Sequence, residues 1–330
     1  MTTTATFPSF PISRLVRVGS AIVDILLYVG HLPTRGGDVI SSSYLHATGA
    51  GFNVLVGARR LGLPAAYGGL IGDGPHGVKI AADMDAAGIH RLLPVRCGQD
   101  SGFCVGFVEP DGERTFATMP GVDATIGTDD LAMLPIEAGD AVCVSGYDLC
   151  YPVSGESIAS WVGTLPPTTF LVFDPGPLVS SIPRDRLSRI LNRVDIVSAN
   201  MVEAAALTGL DEPAAAAVAL AARGVAVIVR AGASGAWIAS GTEVAHAPAR
   251  RTTVVDTTGA GDSHLAALVA RLAIGDDLYR AAHWANVAAS LNVERRGPSA
   301  KPTMNEIVDT ATRTPEFTWL IAGRRDQPLS

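Results

Sequence analysis

The chain is predicted to fold as an α/β protein built on a mostly parallel sheet with helices on both faces, and three observations carry that prediction. Short β-branched runs alternate with longer helical patterns along most of its length, the order that builds parallel sheets. The runs AVCVSG, FLVFD, DIVSAN and VAVIVR are near-continuously apolar, as strands covered on both faces must be. Of the 330 residues, 48% are apolar and 17% charged, enough for a large core and unlike a disordered chain.

Taken in order, the opening MTTTATFPSFPIS is polar and punctuated by proline, a frayed lead-in. Structure is expected from Leu15, with LVRVG as a strand, GFNVLVGARRLG as a helix, AAYGGLIG as strand and turn, and a helix to Gly88. After AVCVSG come a helix around Trp161, FLVFD, a helix ending near Arg193, DIVSAN, a helix from Met201, an Ala-rich helix after Pro213, and VAVIVR. Two half-polar segments lack companion helices. Asp38–His46 and Gly102–Thr118 read as strands, the second turning at Pro110-Asp111-Gly112. They are expected to form a small accessory sheet, inserted around 31–48 and 100–120 of one domain spanning 14–312, with 1–13 and 313–330 as extensions.

The balance of 25 basic against 32 acidic residues, a formal charge of −7, withholds the general attraction for phosphate backbones, so nucleic acid is not an expected partner. Only Lys79 and Lys301 are lysines, which reads as a composition bias. Cys97, Cys104, Cys143 and Cys150 form no C-x-x-C pair and have no histidine at zinc spacing; they read as small buried hydrophobes in a reducing cytosol. The first residues lack the basic start and apolar stretch of a signal peptide, and no apolar run reaches about 18 residues. A soluble cytoplasmic protein without membrane partners is expected.

The strongest chemical signal is Asp256-Thr257-Thr258-Gly259-Ala260-Gly261-Asp262, which follows the strand-like TTVV and opens a helix striped by Leu265, Leu268, Val269 and Leu272. Glycines at a helix start let a ligand approach the backbone, and the free amides with the helix dipole make an anion hole suited to phosphate. Asp262 at that turn lies where it can accept the proton of an attacking hydroxyl, the arrangement of a phosphotransferase.

DTTGAGD resembles the signature of the ribokinase-like, or PfkB, carbohydrate kinases, and four other segments agree in order. Gly19–Asp24 resembles the family's first strand, ending in a substrate-binding Asp. Thr48–Asn53 is similar to its GG-x-x-x-N motif, Asn200–Glu203 to its N-x-x-E motif, and Gly232–Gly235 to its nucleotide loop. The resemblance spans about Arg14 to Thr312. It implies a three-layer α/β/α sandwich with a lid sheet, and transfer of the ATP γ-phosphate to a hydroxymethyl group of a small sugar. Asp262 is then the base, with Gly259, Ala260 and Gly261 as the anion hole. Asp24, Gly49, Gly51 and Asn53 would read substrate hydroxyls. Asn200 and Glu203 would order magnesium and its waters around the phosphates. Arg230, Gly232, Gly235 and Asn286 would hold the nucleotide, and Asp256 with Thr258 would contribute to a monovalent-cation site, with potassium as the candidate ion; the sequence leaves potassium dependence open. The accessory strands would close over the sugar and pair with a second subunit.

The chain departs from the family pattern at Thr48, where the first Gly of the pair is usual, at His264, where Phe is usual, and at Arg230, where Thr is usual. Ser145, Gly146 and Tyr147 stand where some sugar kinases place an acidic contact. Gly72-Asp73-Gly74-Pro75-His76-Gly77 satisfies G-x-G-x-x-G, but it lies outside the first βα unit and carries a proline inside the loop, which speaks against a dinucleotide site. Neither G-x-x-x-x-G-K-[ST] nor G-x-S-x-G occurs. The alternatives to a sugar kinase are a nucleoside kinase of the same fold, for which Phe103, Phe107 and Phe116 are the candidate stacking partners, and a non-catalytic binding module.

Overall fold

The computed structural model describes residues 11–297 and 301–322. The chain opens with β1 (Arg14–Arg17), β2 (Ala21–Tyr28), β3 (Ser43–Ala50), α1 (Gly51–Arg60), β4 (Ala65–Tyr67), α2 (Pro75–Ala86) and β5 (His90–Arg91). There follow β6 (Phe103–Val108), β7 (Arg114–Met119), α3 (Thr128–Ala132), β8 (Asp140–Ser145), α4 (Gly146–Cys150), α5 (Pro152–Trp161), β9 (Phe170–Asp174) and α6 (Arg184–Leu191). The second half runs through β10 (Ile196–Asn200), α7 (Met201–Thr208), α8 (Pro213–Ala221), β11 (Ala226–Arg230), β12 (Ala236–Ser240) and β13 (Glu243–Ala247). It closes with α9 (Ala260–Ala273), α10 (Leu278–Val293) and α11 (Met304–Arg313).

Among the described residues the main sheet has nine strands in the order β13-β12-β11-β10-β9-β8-β1-β4-β5. All neighbours are parallel except β11, β12 and β13, which form an antiparallel edge. Alternate residues feed two cores, which is why the strands read as unbroken apolar runs. Leu15, Tyr67, Cys143, Val172 and Ile228 face the layer of α1, α2, α9 and α10, while Val16, Ala66, Val142, Leu171 and Val227 face that of α5, α6 and α8. The result is the expected three-layer sandwich. Gly57 on α1 meets α9 so closely that a Cβ there would lie 2.7 Å from the Ala266 Cβ, and Asn53 and Asp262 each stand one turn N-terminal of this contact. Among the described residues no single helix is long and apolar enough to cross a membrane.

The small sheet, in the order β3-β2-β6-β7, is the expected accessory sheet, with corrected boundaries. Asp24 does not end the first strand: β1 stops at Arg17, and Asp24 lies in the middle of β2, inside the small sheet. The break falls at Gly19, where a side chain would overlap the buried Asp148 carboxylate that binds Ser20 through both its amide and its hydroxyl. The ladder expected over Asp38–His46 runs instead over Ser43–Ala50, because Tyr28, the last residue of β2, pairs with Ser43. TTVV is not a strand. The amides of Val255 and Asp256 bond to the Val293 carbonyl at the end of α10.

Other expectations change at single residues. Pro75 is the first residue of α2, not part of the loop, and the Asp100 carboxylate accepts the His76 and Gly77 amides, so the chain itself fills that glycine-rich helix start. Cys97 is exposed, so only Cys104 and Cys143 fit the buried reading fully. Phe317 and Leu320, beyond the expected boundary at 312, are buried in the core. Residues 1–10 and 323–330 of the expected extensions lie outside the described residues.

Candidate active site

The turn before α9 is shaped as the sequence suggests. Gly259 takes a left-handed φ of 72°, no side chain caps the first turn of α9, and the Ala260 amide turns back onto the Thr257 carbonyl at 3.2 Å. Asp262 is half-buried in that turn. Burial raises its carboxyl above the ordinary range; Lys301 opposes the shift most strongly and Asp174 adds to it.

The acceptor side comes from the small sheet and α1. Asp24 pairs laterally with Ala47 and Cys104, and the Cys104 thiol donates to Asp24 Oδ1 at 3.4 Å. Burial lifts the Asp24 carboxyl to about 6, the thiol opposes this, and the charge of Asp262 adds to it, so residues 238 positions apart share one electrostatic site. Gly49 is required by close approach, since a Cβ there would overlap the Asp24 carboxylate. Gly51 packs against the Ser20 carbonyl and the Arg17 side chain. Between them Ala50 has a φ of 52°, the only positive value outside glycine among the described residues, and this kink starts α1. Asn53 is 4% exposed and its Oδ1 has no hydrogen-bond partner, an acceptor waiting for a donor. Tyr147, after β8, borders the same space: burial, then Cys104 and Asp174, lift its phenol to about 12.

A third group gathers at the carboxyl ends of β9, β10 and β11, the edge of a parallel sheet where ligands bind. Asn200 and Glu203 form a reciprocal cap on α7: Asn200 Oδ1 accepts the Glu203 amide at 2.9 Å, and the Glu203 carboxylate accepts the Asn200 amide at 2.7 Å and its Nδ2 at 2.8 Å. Arg230 reaches Glu203 at 3.4 Å, Asp174 at 3.6 Å and the Gly261 carbonyl at 3.3 Å. It therefore lies against the anion hole rather than only at the start of a nucleotide loop. Burial and then Asp174 raise Glu203 to about 7, with Arg230 opposing. Arg230 bridges the two carboxylates and offsets their repulsion, and the Glu203 carboxylate already accepts three donors, the Asn200 amide, Asn200 Nδ2 and Arg230. Gly232 and Gly235 bound the tight β11–β12 connection, closed by the Ala231 amide on the Gly235 carbonyl at 2.7 Å. Asn286 lies behind this loop, where its Nδ2 binds the Ala247 and Pro248 carbonyls.

The Asp256 carboxylate is occupied by donors from the chain itself. Asp256 Oδ1 accepts the Thr258 amide at 2.8 Å, the Thr258 hydroxyl at 2.6 Å and the Arg114 guanidinium from β7; Oδ2 accepts the Gly297 amide at 2.9 Å. Burial works against the Asp256 carboxylate, yet these donors hold its pKa below the ordinary value. Lys301, fully buried, donates to the Gly259 carbonyl at 2.7 Å and Asn292 Oδ1 at 3.1 Å. Burial lowers it to about 8, opposed by Asp262 and Asp256. His264 turns into the core: burial and the Arg230 charge push it down to about 3, so it is neutral.

The structure thus brings together the predicted Asp24, Gly49, Asn53, Asp262 and the α9 turn at one edge, and Asn200, Glu203 and Arg230 at the next. Sequence reasoning missed Asp174, Arg114 and Lys301. Asp174 ends FLVFD as Asn200 ends DIVSAN, and that shared strand-end position was its signal. Arg114 and Lys301 have no local signal, because only the tertiary fold brings them to the turn.

Comparison with known proteins agrees with this geometry. A family model described as "pfkB family carbohydrate kinase" matches residues 13–304. The sugar kinase YegV of Escherichia coli (strain K12) is 34% identical over 88% of this chain and 92% of its own length. The ATP-dependent ribose-1-phosphate kinase of Halopiger xanaduensis is 29% identical over 89% and 96%. Among solved structures, Arabidopsis thaliana ribokinase complexed with ribose and ATP superposes with a TM-score of 0.74 at 25% identity, covering 90% of this chain and 98% of that one.

Proposed function

Because the chain belongs to the PfkB family of carbohydrate kinases, we propose that it is an ATP-dependent sugar kinase with Asp262 as general base. The observation that supports this reading is the close packing of α1 on α9 at Gly57 and Ala266, which sets the buried, unpartnered Asn53 acceptor and Asp262 each one turn before the same contact, with the Asp24 carboxyl raised by burial and by the charge of Asp262. Asp24 and Asn53 hold hydroxyls of the sugar. Asp262 takes the proton from the attacking hydroxymethyl as its oxygen bonds to phosphorus, and the bond to the ADP oxygen breaks. The amides of Gly259 and Gly261 meet the growing negative charge on the transferred group, and Arg230 adds positive charge beside them. Magnesium, when bound, would neutralise phosphate oxygens; Glu203 and Asp174 are the residues to hold it, directly or through water. The nucleotide would lie along the Arg230–Gly235 loop, with Asn286 holding the Ala247 and Pro248 carbonyls behind it. An ATP-consuming reaction fits a cytoplasmic location. Exposed Tyr44 and Met119 on one face of the small sheet support a homodimer formed through the lid.

The test is an ADP-release screen with Mg-ATP against pentoses, hexoses, sugar acids, sugar phosphates and nucleosides, with Asp262→Asn run in parallel. A sugar should give turnover that falls by roughly two to four orders of magnitude in the variant, the contribution of a positioned base, while ATP still binds. A nucleoside as the best acceptor would replace the sugar reading, and undiminished turnover in Asp262→Asn would remove the base assignment.

A further inference from the structure

Hard cations are held by several oxygens turned to one point. Around Asp256 and Thr258 the chain's own donors already take the oxygens. Besides the four donors on Asp256, the Val293 carbonyl accepts the Val255 and Asp256 amides at 2.7 and 3.1 Å. The Thr258 carbonyl accepts Asn292 Nδ2 at 2.8 Å, and the Gly259 carbonyl accepts the Ser263 amide at 2.9 Å as well as Lys301. Two positive charges are nevertheless present. Arg114 comes down from β7 onto Asp256 and Thr257, and Lys301 rises from below.

Lys301 is joined to the turn through a relay. Asn292 Oδ1 accepts both Lys301 Nζ and the Ser263 hydroxyl, and the Asn292 amide nitrogen binds the Thr258 carbonyl. Lysine and asparagine thus clamp the consecutive carbonyls of Thr258 and Gly259, which lie directly before the anion-hole amides. A compact ammonium with three donors can do this in a buried site where a planar guanidinium needs more room. It is one of two lysines in a chain whose other 23 basic residues are arginine.

Resting on the kinase reading above, we propose that Lys301 and Arg114 replace a monovalent cation at the Asp256–Asp262 turn, that Lys301 is the positioning residue that holds the turn, and that phosphoryl transfer by this chain is independent of potassium. The experiment compares KCl, NaCl and choline chloride at equal ionic strength, reading thermal melting of the ligand-free protein and, separately, steady-state turnover. The wild type should melt and turn over alike in all three salts. Lys301→Ala should lose roughly 10- to 100-fold in turnover, the scale of a lost charge-assisted hydrogen bond. Ammonium or potassium, but not choline, should restore part of that loss and raise the variant's melting temperature.

Selective stabilisation or activation of the wild type by potassium overturns the proposal, and so does a Lys301→Ala loss that neither ion repairs. If the variant does not fold, the wild-type comparison still decides. Melting needs no acceptor, so a wild type indifferent to salt that phosphorylates nothing would remove the kinase reading and leave the cation assignment standing.

Discussion

Asn53 carries a buried acceptor with no donor from the chain, and such a group costs roughly 1–3 kcal/mol when it stays unpaired. A substrate hydroxyl would repay it, so Asn53→Ala should raise the acceptor KM by roughly tenfold or more while leaving the KM for ATP nearly unchanged. Equal effects on both, measured by steady-state kinetics, would place Asn53 outside the acceptor pocket. At this scale the sequence was most legible where function needs a local pattern. Asp24, Gly49, Asn53 and Asp262 each stand in a short motif whose spacing survives folding. Arg230 was legible by position but not by role, since its reach to Glu203, Asp174 and Gly261 crosses three chain segments. Lys301 was not legible at all: a lone lysine shows nothing of itself until α9 and α10 close over it.

Among the elements, the small sheet has a register that divides its two faces. Asp24, Leu26, Cys104, Gly106, Arg114 and Phe116 lie on one face, and Leu27, Tyr44, Phe107 and Met119 on the other. Tyr44 is 71% and Met119 59% exposed, and β7 is an open edge, so this sheet presents apolar surface that a second copy would cover. Sedimentation equilibrium should find the wild type dimeric and Tyr44→Asp combined with Met119→Asp monomeric; a wild type that stays monomeric at high protein concentration removes the lid dimer. Alternation of strand and helix was readable because each main-sheet strand is covered on both faces. TTVV was misread because β-branched composition looks the same whether the amides meet a strand or, as for Val255 and Asp256, one carbonyl at a helix end. The Asp38–His46 shift has a similar cause, since the ladder's start is set by the length of β2 and not by the segment itself.

For the molecule as a whole, the site is a charge load that stability carries. Asp24 is held up to about 6, above the unfolded value near 3.9. Its favourable contribution is therefore complete below about pH 4 and lost as pH rises through about 6. His264, held down to about 3, acts in the opposite sense and loses its contribution as pH falls from about 6.5. The difference between Asp24→Asn and wild type isolates the first effect. It should favour the variant increasingly from about pH 4 to about pH 6, then level off at roughly 3 kcal/mol. Melting curves that show the variant no more stable at pH 8 would contradict the burial of that carboxylate. The three-layer architecture was legible because hydrophobic periodicity reports layers, whereas the pairing of Asp24 with Asp262 depends on order in space. That pairing has a consequence for biosynthesis. The face of α1 that receives α9 has to wait for it, since about 200 residues separate Arg60 from Ala260. At about 5–20 residues per second the ribosome takes roughly 10–40 s to deliver them. During that interval the nascent amino-terminal third holds an apolar surface whose partner, α9, has yet to be made.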